Sequence, residues 1–234
     1  MQKNHKRFVA HFDMLGMKQA VLRNSKEAWG ALCDINEANK RIYKLTININ
    51  NSNQIIENRV HTFFFSDTVI IFTLSDEPED LYAILILSSE FFSNSLHRCI
   101  PLRGGIAHGD FLFNLEENIF LGEPLVRAYS LGESSQFMGI ILDDFTATMA
   151  ERYPDLGQNI IQWDVPQKNE GRKRQYVLNW PKIFRNNFIV RPITVVTFYE
   201  AFEPLFGSYC ELPESAKIKY ENTVIFINSM LNSP

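Results

Sequence analysis

The chain has 234 residues, of which 45% are hydrophobic and 21% are charged, enough for one compact domain with a buried core. Its formal net charge of -4 argues against a general nucleic-acid binder, a class of protein that is usually basic. The three cysteines are far apart and lack paired spacing, which favours a reducing compartment and argues against structural zinc. Without a signal-peptide pattern, or an apolar run of the ~18 residues that a membrane helix needs, we expect a soluble cytoplasmic protein.

The first predicted element is a buried strand that ends on a carboxylate. Residues 8–12 are mostly apolar, Asp13 stands where this run stops, and Gly16 permits a tight turn before a helix begins at Met17. A carboxylate beside the N–H groups of a helix N-terminus can hold a divalent cation and a phosphate together. The alternative is a plain strand–turn–helix in which Asp13 is the helix N-cap.

The rest of the chain alternates between helical and extended patterns, which together predict an α+β sandwich with helices packed on a mixed sheet. The first helix is expected to break at Asn24, with Ser25 as the N-cap of its second half, and residues 48–54 to form a polar loop. Predicted helices cover residues 17–49, 76–99, 122–136, 144–153, 194–206 and 215–231. Predicted strands cover residues 59–65, 68–74, 102–113, 119–121, 139–142, 160–165 and 176–180.

A second carboxylate, Asp67, lies in a tight turn between two apolar strands of the segment HTFFFSDTVIIFTL. Two carboxylates at strand ends, far apart in sequence, are what a two-metal phosphoryl-transfer site needs. In such a site one ion lowers the pKa of an attacking hydroxyl, and the other neutralises a triphosphate. The alternative for Asp67 is an ordinary turn residue.

Five segments, in order over residues 8–180, resemble the class III nucleotide cyclases. They match the first metal strand, the second metal hairpin, the arginine strand, the helix after it and the last hairpin, and they read FVAHFDMLGM, FFFSDTVIIF, LRGGIAHGDF, FLGEPLVRAYSLGE and GRKRQYVLNW. The resemblance implies a mixed, mostly antiparallel sheet with a ferredoxin-like core and flanking helices. It also implies a single cyclase domain over residues 1–234, with residues 181–234 as a C-terminal helical extension.

The same resemblance assigns roles to the residues of the site. Two Mg²⁺ or Mn²⁺ ions would be held by Asp13 and Asp67, with the carbonyl of Met14 as a further ligand. The phosphates would be bound by the N–H groups of Leu15, Gly16 and Met17, by Arg103, and by Lys168, Arg172 and Lys173 of a basic hairpin tip. The alternatives are a surface cation at a sheet edge for Arg103 and a solvated tip for the hairpin.

The sequence departs from the family at positions that matter for catalysis and base recognition. Val126 and Ser130 stand where the family has a transition-state Asn and Arg, and Arg127 beside them is expected to point elsewhere. Phe63 and Ile119 stand at the two purine-reading positions. Because an apolar pair cannot hydrogen-bond a purine edge, adenylate or guanylate cyclisation by the usual contacts is not expected.

Within the class, the pattern most resembles the bacterial pyrimidine cyclases of the Pycsar antiphage systems. This implies a homodimer with sites at its interface that makes cyclic UMP or cyclic CMP, which a downstream effector senses. Polar groups that could read the base are Arg59, His61 and Asn118. One alternative is a catalytically silent cyclase-fold homodimer that binds nucleotide or a protein partner. Another is a diguanylate-cyclase or polymerase-palm enzyme, against which the absence of a GGDEF-type hairpin counts.

Overall fold

The computed structural model describes residues 5–40, 44–49, 52–57, 59–169, 171–185 and 192–231. Its strands are β1 (Lys6–Met14), β2 (Lys44–Ile49), β3 (Ser52–Glu57), β4 (Val60–Phe65), β5 (Thr68–Thr73), β6 (Leu102–Asn114), β7 (Ile119–Gly122), β8 (Ile140–Leu142), β9 (Ile160–Pro166) and β10 (Arg172–Leu178). Its α-helices are α1 (Met17–Lys40), α2 (Pro78–His97), α3 (Glu123–Ser134), α4 (Asp144–Glu151), α5 (Pro154–Gly157), α6 (Trp180–Arg185), α7 (Val195–Tyr199), α8 (Glu203–Phe206) and α9 (Glu214–Leu231).

One large sheet organises the molecule, in the strand order β4-β5-β1-β6-β8-β10-β9, with β7 paired to β6. The β6–β8 pair is parallel, and the other neighbours in this sheet are antiparallel. The predicted α+β class with a mixed, mostly antiparallel sheet is therefore confirmed. None of the helices in the described part of the chain combines the length and apolarity needed to cross a membrane.

The side chains of strand β1 alternate between the two faces of the sheet. Phe8, Ala10 and Phe12 are fully buried in the main hydrophobic core, where the ring of Phe12 lies 5.2 Å from that of Phe91 in α2. The residues between them face the other side, where the ring of His11 contacts Tyr129 of α3 at 5.2 Å. Asp13 shares this second face.

Helix α3 lies directly on the backbone of β6. A Cβ atom added to Gly105 would lie 2.4 Å from the carbonyl oxygen of Ala128, and one added to Gly132 would lie 3.1 Å from the Cα of Gly104. The prediction that the glycines of this strand let a neighbouring backbone approach is confirmed.

Two local predictions near the N-terminus were wrong. Helix α1 kinks at Asn24 as expected, but Asn24 itself is the cap, since its Oδ1 accepts the N–H of Glu27 at 3.2 Å. The helix ends at Lys40, and β2 and β3 form a hairpin where the end of the helix and a polar loop were predicted. The β-branched residues of TINI and of QII fit a strand better than a helix, which explains the difference.

The predicted helix over residues 194–206 is divided. It comprises α7, the 3₁₀ turn Glu200–Phe202 and α8, in which Pro204 occupies the first turn. A proline cannot donate a helical hydrogen bond, so a helix commonly restarts at such a position. The final predicted helix is confirmed as α9.

The close packing of α3 on β6 makes Gly105 sensitive to any added side chain. We expect Gly105→Ala to lower the free energy of unfolding by about 1–3 kcal/mol, since the new methyl group overlaps the backbone of α3. Gly30→Ala is the matched control, because a Cβ there meets nothing within 4 Å and the helix interior favours Ala by up to about 1 kcal/mol. Urea denaturation measures both variants, and equal stability of the two would contradict the packing described.

Candidate active site

The fold brings the two predicted metal carboxylates to neighbouring strand ends. Asp13 pairs in register with Thr68, the first residue of β5, and the N–H of Met14 donates to the carbonyl of Asp67 at 2.9 Å. The hairpin reaches this position through Ser66, which adopts a left-handed backbone conformation with φ 56°. Asp13 and Asp67, distant in sequence, are thus adjacent on the sheet.

The turn after β1 presents part of the predicted phosphate site. Gly16 has a φ of 76°, a conformation that glycine adopts without strain, and α1 begins at the next residue. The first N–H groups of a helix have no partner within it and attract anions. The N–H of Leu15, however, donates to the carbonyl of Pro101 at 2.8 Å. Of the three predicted phosphate donors, Gly16 and Met17 remain suitable and Leu15 does not.

Arg103 is a buried cation that holds Asp13 in place. It lies opposite Asp13 in the β1–β6 register and is only 6% exposed, so it is not a surface cation at a sheet edge. Its Nε donates to Oδ2 of Asp13 at 3.0 Å, and its Nη2 lies 2.8 Å from the same oxygen, which leaves Oδ1 outside the ion pair. Nη1 donates to the carbonyl of Glu133 at 3.0 Å, and Nη2 also pairs with the carboxylate of Glu133.

Glu133 connects Arg103 to the basic hairpin. The carboxylate of Glu133 pairs with the ammonium group of Lys168 as well as with Arg103. The N–H of Lys168 also donates to the carbonyl of Ser134 at 2.9 Å, which fixes the loop between β9 and β10 against the end of α3. We call Asp13, Arg103, Glu133 and Lys168 the charge cluster. Sequence reasoning missed Glu133, which carries no motif and is recognisable only from its contacts.

The other two hairpin residues predicted to bind phosphate, Arg172 and Lys173, lie in β10 and not at the tip. Lys173 lines, with Lys168 and Ser130, an open cavity of about 480 Å³ between α3 and the hairpin. Arg172 instead donates to the carbonyl of Asp164 at 3.1 Å and lies over the ring of Trp163 at 5.9 Å. The structure therefore does not bring Arg172 into the charge cluster.

The two residues of α3 that differ from the pattern of the resemblance, Val126 and Ser130, are hydrogen-bonded to each other. Val126 is 65% exposed, and the hydroxyl of Ser130 donates to its carbonyl at 2.8 Å. Arg127 is committed to β6, where its Nη2 donates to the carbonyl of His108 at 2.7 Å and its Nε lies 3.5 Å from Asp143. Arg127 therefore does not replace the arginine that the family has near Ser130.

The two positions predicted for base recognition, Phe63 and Ile119, carry apolar side chains. The ring of Phe63 packs on Phe120 of β7 at 4.9 Å, and the neighbouring Ile119 is exposed. Two of the polar candidates are engaged elsewhere: Arg59 pairs with the buried Asp80 at 2.9 Å, and His61 packs against the ring of Phe72.

Burial disfavours the charged form of two histidines in the sheet, His11 and His61. Burial lowers the pKa of His61. Burial also lowers the pKa of His11, two residues before Asp13 on the same face, and Asp13 opposes that effect while Arg103 adds to it.

Comparisons with known proteins give a likeness of fold. No protein-family model and no curated protein matches the sequence. The catalytic core of a rhodopsin-guanylyl cyclase with converted specificity, solved in complex with ATPαS, matches with a TM-score of 0.51 and 13% identity, over 75% of this chain and 95% of that one. A Trypanosoma brucei adenylate cyclase in its monomeric state matches with a TM-score of 0.51 and 10% identity, over 75% and 88%.

The chain has the class III nucleotide cyclase fold. This agrees with the resemblance of the five sequence segments, which also run from the first strand to the last hairpin. Asp13 lies at the end of β1, and Asp67 lies in the turn between β4 and β5.

The donor atoms at these strand ends suit a hard divalent cation. Two carboxylates and a backbone carbonyl offer only oxygen ligands, which Mg²⁺ and Mn²⁺ prefer. Within the described residues no group of three or more His, Cys, Asp and Glu side chains could hold a metal by itself. Mg²⁺ is commonly bound by one or two carboxylates plus the phosphates of its substrate, so the pair fits an ion that arrives with a nucleotide.

Proposed function

We propose that the protein is a metal-dependent nucleotide cyclase. It converts a pyrimidine nucleoside triphosphate, UTP or CTP, into the 3′,5′-cyclic monophosphate and pyrophosphate, a second messenger that a downstream effector senses in bacterial antiphage defence. The observation that carries the proposal is the placement of Asp13 and Asp67 at neighbouring strand ends of a class III cyclase fold. The buried Arg103 beside Asp13 adds a phosphate-binding cation to that placement.

In the proposed reaction the 3′-hydroxyl of the ribose attacks the α-phosphorus of the same nucleotide. A new O–P bond forms, the hydroxyl proton passes to solvent, the bond to the bridging oxygen of the β-phosphate breaks, and pyrophosphate leaves without a covalent enzyme intermediate. Asp13, Asp67 and the Met14 carbonyl would hold two Mg²⁺ or Mn²⁺ ions, which supply activation of the hydroxyl and charge neutralisation. The N–H groups of Gly16 and Met17 would donate to the terminal phosphates.

Arg103 changes partners in this proposal. Without nucleotide it neutralises Asp13, which keeps a partly buried carboxylate paired. With an ion held by Asp13, the guanidinium would be free to donate to a phosphate oxygen, while the carboxylate and the backbone carbonyl of Glu133 would continue to hold it. Lys168, on the other side of Glu133, would contact the same phosphates.

The preference for a pyrimidine is supported by the apolar surface at Phe63 and Ile119. Neither side chain offers a donor or an acceptor to a purine edge, and a polar base edge left unpaired there lowers affinity. Resemblance to the Pycsar cyclases favours UTP slightly over CTP. Asn118, which has a left-handed backbone conformation beside Ile119, is the remaining polar candidate for reading the base.

The proposed enzyme is a homodimer with its sites at the interface. Five of the exposed apolar side chains lie on the neighbouring elements β6, β7 and α3, and they are Leu112, Ile119, Leu121, Val126 and Tyr129. Clusters of this kind mark protein–protein interfaces, and two copies related by a two-fold axis would bury the same surface on each copy. Because α3 and β7 belong to this surface, a second copy would lie beside the base-recognition positions.

A catalytically silent cyclase-fold dimer that binds nucleotide or a protein partner is the second candidate. The observation in its favour is that Val126 and Ser130 stand where transition-state groups are expected, and that the hydroxyl of Ser130 bonds to its own helix. The silent form would bind metal and nucleotide and yield no cyclic product.

The metal assignment predicts loss of activity from either carboxylate. We expect Asp13→Asn and Asp67→Asn each to lower product formation by at least about 100-fold, because an ion ligand is lost while core volume is kept. Asp34→Asn is the matched control, since this exposed carboxylate on α1 pairs only with Arg98 in the described contacts. Product is quantified by mass spectrometry at fixed Mn²⁺, and full activity in both site variants would refute the two-ion assignment.

The base preference is tested by direct competition. Equal concentrations of ATP, GTP, CTP and UTP are incubated with the protein and Mn²⁺, and the cyclic products are identified by mass. We expect cyclic UMP or cyclic CMP to dominate, because Phe63 and Ile119 cannot pair with a purine edge. A dominant cyclic purine product would exclude the pyrimidine proposal. Binding of metal and nucleotide without any cyclic product would favour the silent dimer.

The interface proposal predicts which surface substitution breaks the dimer. Leu121 is 68% exposed on β7, and we expect Leu121→Lys to shift the protein to monomers at micromolar concentration, because the substitution would bury a charge in an apolar interface on both copies. Leu22→Lys on α1, where Leu22 is 77% exposed, is the control and should leave the dimer intact. Light scattering reports the mass, and an active wild-type monomer at micromolar concentration would disprove the interface.

A further inference from the structure

Helix α9 of the C-terminal extension is fixed against the segment that precedes β8. Asn222 donates to the carbonyl of Gln136 at 2.8 Å, and the hydroxyl of the fully buried Thr223 accepts the N–H of Met138 at 2.8 Å. Phe226 packs on the ring of Phe137 at 5.4 Å. These contacts set both the position and the rotation of the helix.

The extension also reaches the turn after β1. A Cβ atom added to Gly16 would lie 3.1 Å from the ring of Phe206, so α8 lies directly over the turn. A cavity of about 190 Å³ opens beside this contact. It is lined on one side by Leu15, Gly16 and Gln19, and on the other mainly by residues of the extension, among them Lys219.

Lys219 of α9 lines this cavity, and its ammonium group lies within electrostatic range of the charge cluster. Its half-buried side chain donates to the carbonyl of Ser215 at 2.5 Å. Burial lowers the pKa of Lys219 most, Arg103 and Lys168 lower it further, and Glu133 and Asp13 raise it. All four members of the charge cluster therefore act on its ammonium group.

Lys219 adds a third cation to Arg103 and Lys168 of the charge cluster. The carboxylates of Asp13 and Glu133 pair with Arg103, and Asp67 lies beside Asp13. If Asp13 and Asp67 held divalent ions, Glu133 would be the carboxylate of the charge cluster that still faces the three cations. A partly desolvated group of cations of this kind favours a polyanionic ligand.

We propose that Lys219 binds the terminal phosphates of the nucleoside triphosphate from within the same chain, so that the C-terminal extension forms part of the site. The inference rests on the proposed function for the identity of the substrate. On binding, the ammonium group exchanges the carbonyl of Ser215 for a phosphate oxygen. If Lys219 had only a structural role, its ammonium group would stay bonded to the carbonyl of Ser215 within α9.

Inorganic tripolyphosphate tests the inference independently of turnover. We expect Lys219→Gln to weaken its binding about 10- to 100-fold in calorimetry with Mg²⁺ present, the range of a charge-assisted hydrogen bond. Lys219→Arg should recover most of the affinity. Lys217→Gln is the matched control, because Lys217 lies on the same helix and pairs with Glu214 at 2.9 Å. Uridine monophosphate, which lacks the terminal phosphates, should bind Lys219→Gln and wild type alike.

A second measurement needs no substitution. Acetic anhydride labelling of the wild-type protein, read by mass spectrometry, should be reduced at Lys219 by tripolyphosphate and unchanged at Lys217. Equal labelling of Lys219 with and without tripolyphosphate, or equal affinity of Lys219→Gln and wild type, would overturn the inference.

The outcomes separate this inference from the proposed function. Weaker tripolyphosphate binding by Lys219→Gln in a protein that makes no cyclic product supports the phosphate contact and rejects the cyclase. Cyclic product formed by Lys219→Gln with an unchanged KM supports the cyclase and rejects the contact. A raised KM for UTP, with kcat less affected, supports both.

Discussion

The buried guanidinium of Arg103 is the group on which the arrangement of the candidate site depends. It reaches from the centre of the sheet to Asp13 on β1 and to Glu133 at the end of α3, and Glu133 in turn holds Lys168. A cation that is 6% exposed requires partners, because removing one side of a buried ion pair commonly costs about 3–5 kcal/mol. These ion pairs therefore fix β1, α3 and the β9–β10 loop around Arg103, although no local sequence preference would bring the three together.

The glycines of β6 make this pairing geometrically possible. With Gly104 and Gly105 beneath Gly132 and Ala128, α3 approaches the strand closely enough for Glu133 to reach Arg103. The same contact places Val126 and Tyr129 on an open face of the molecule beside β7. One packing constraint thus sets both the charge cluster and the apolar surface proposed as the dimer interface.

The comparisons establish the fold, whereas the function is proposed from the residues of the candidate site. The likeness to two cyclase structures at 13% and 10% identity establishes the architecture. The proposed activity rests on Asp13 and Asp67, which match the metal-binding carboxylates of the class III cyclases in the sequence resemblance. The proposed substrate preference rests on Phe63 and Ile119, which differ from the residues expected to read a purine. Val126 and Ser130 stand at the positions where the resemblance predicts a transition-state Asn and Arg, so the proposed catalysis must use other groups.

The sequence by itself determined the order of the elements, the strand–carboxylate–turn at Asp13 and the hairpin carrying Asp67, because these depend on hydrophobic periodicity and turn residues within a few positions. It misplaced β2 and β3, where β-branched residues overlap a helical pattern. Only the tertiary structure decided that Leu15 donates to Pro101, that Glu133 bridges two cations and that Lys219 lines the cavity beside Gly16. Each of these contacts joins residues from separate elements, and their partners leave no periodic trace in the sequence.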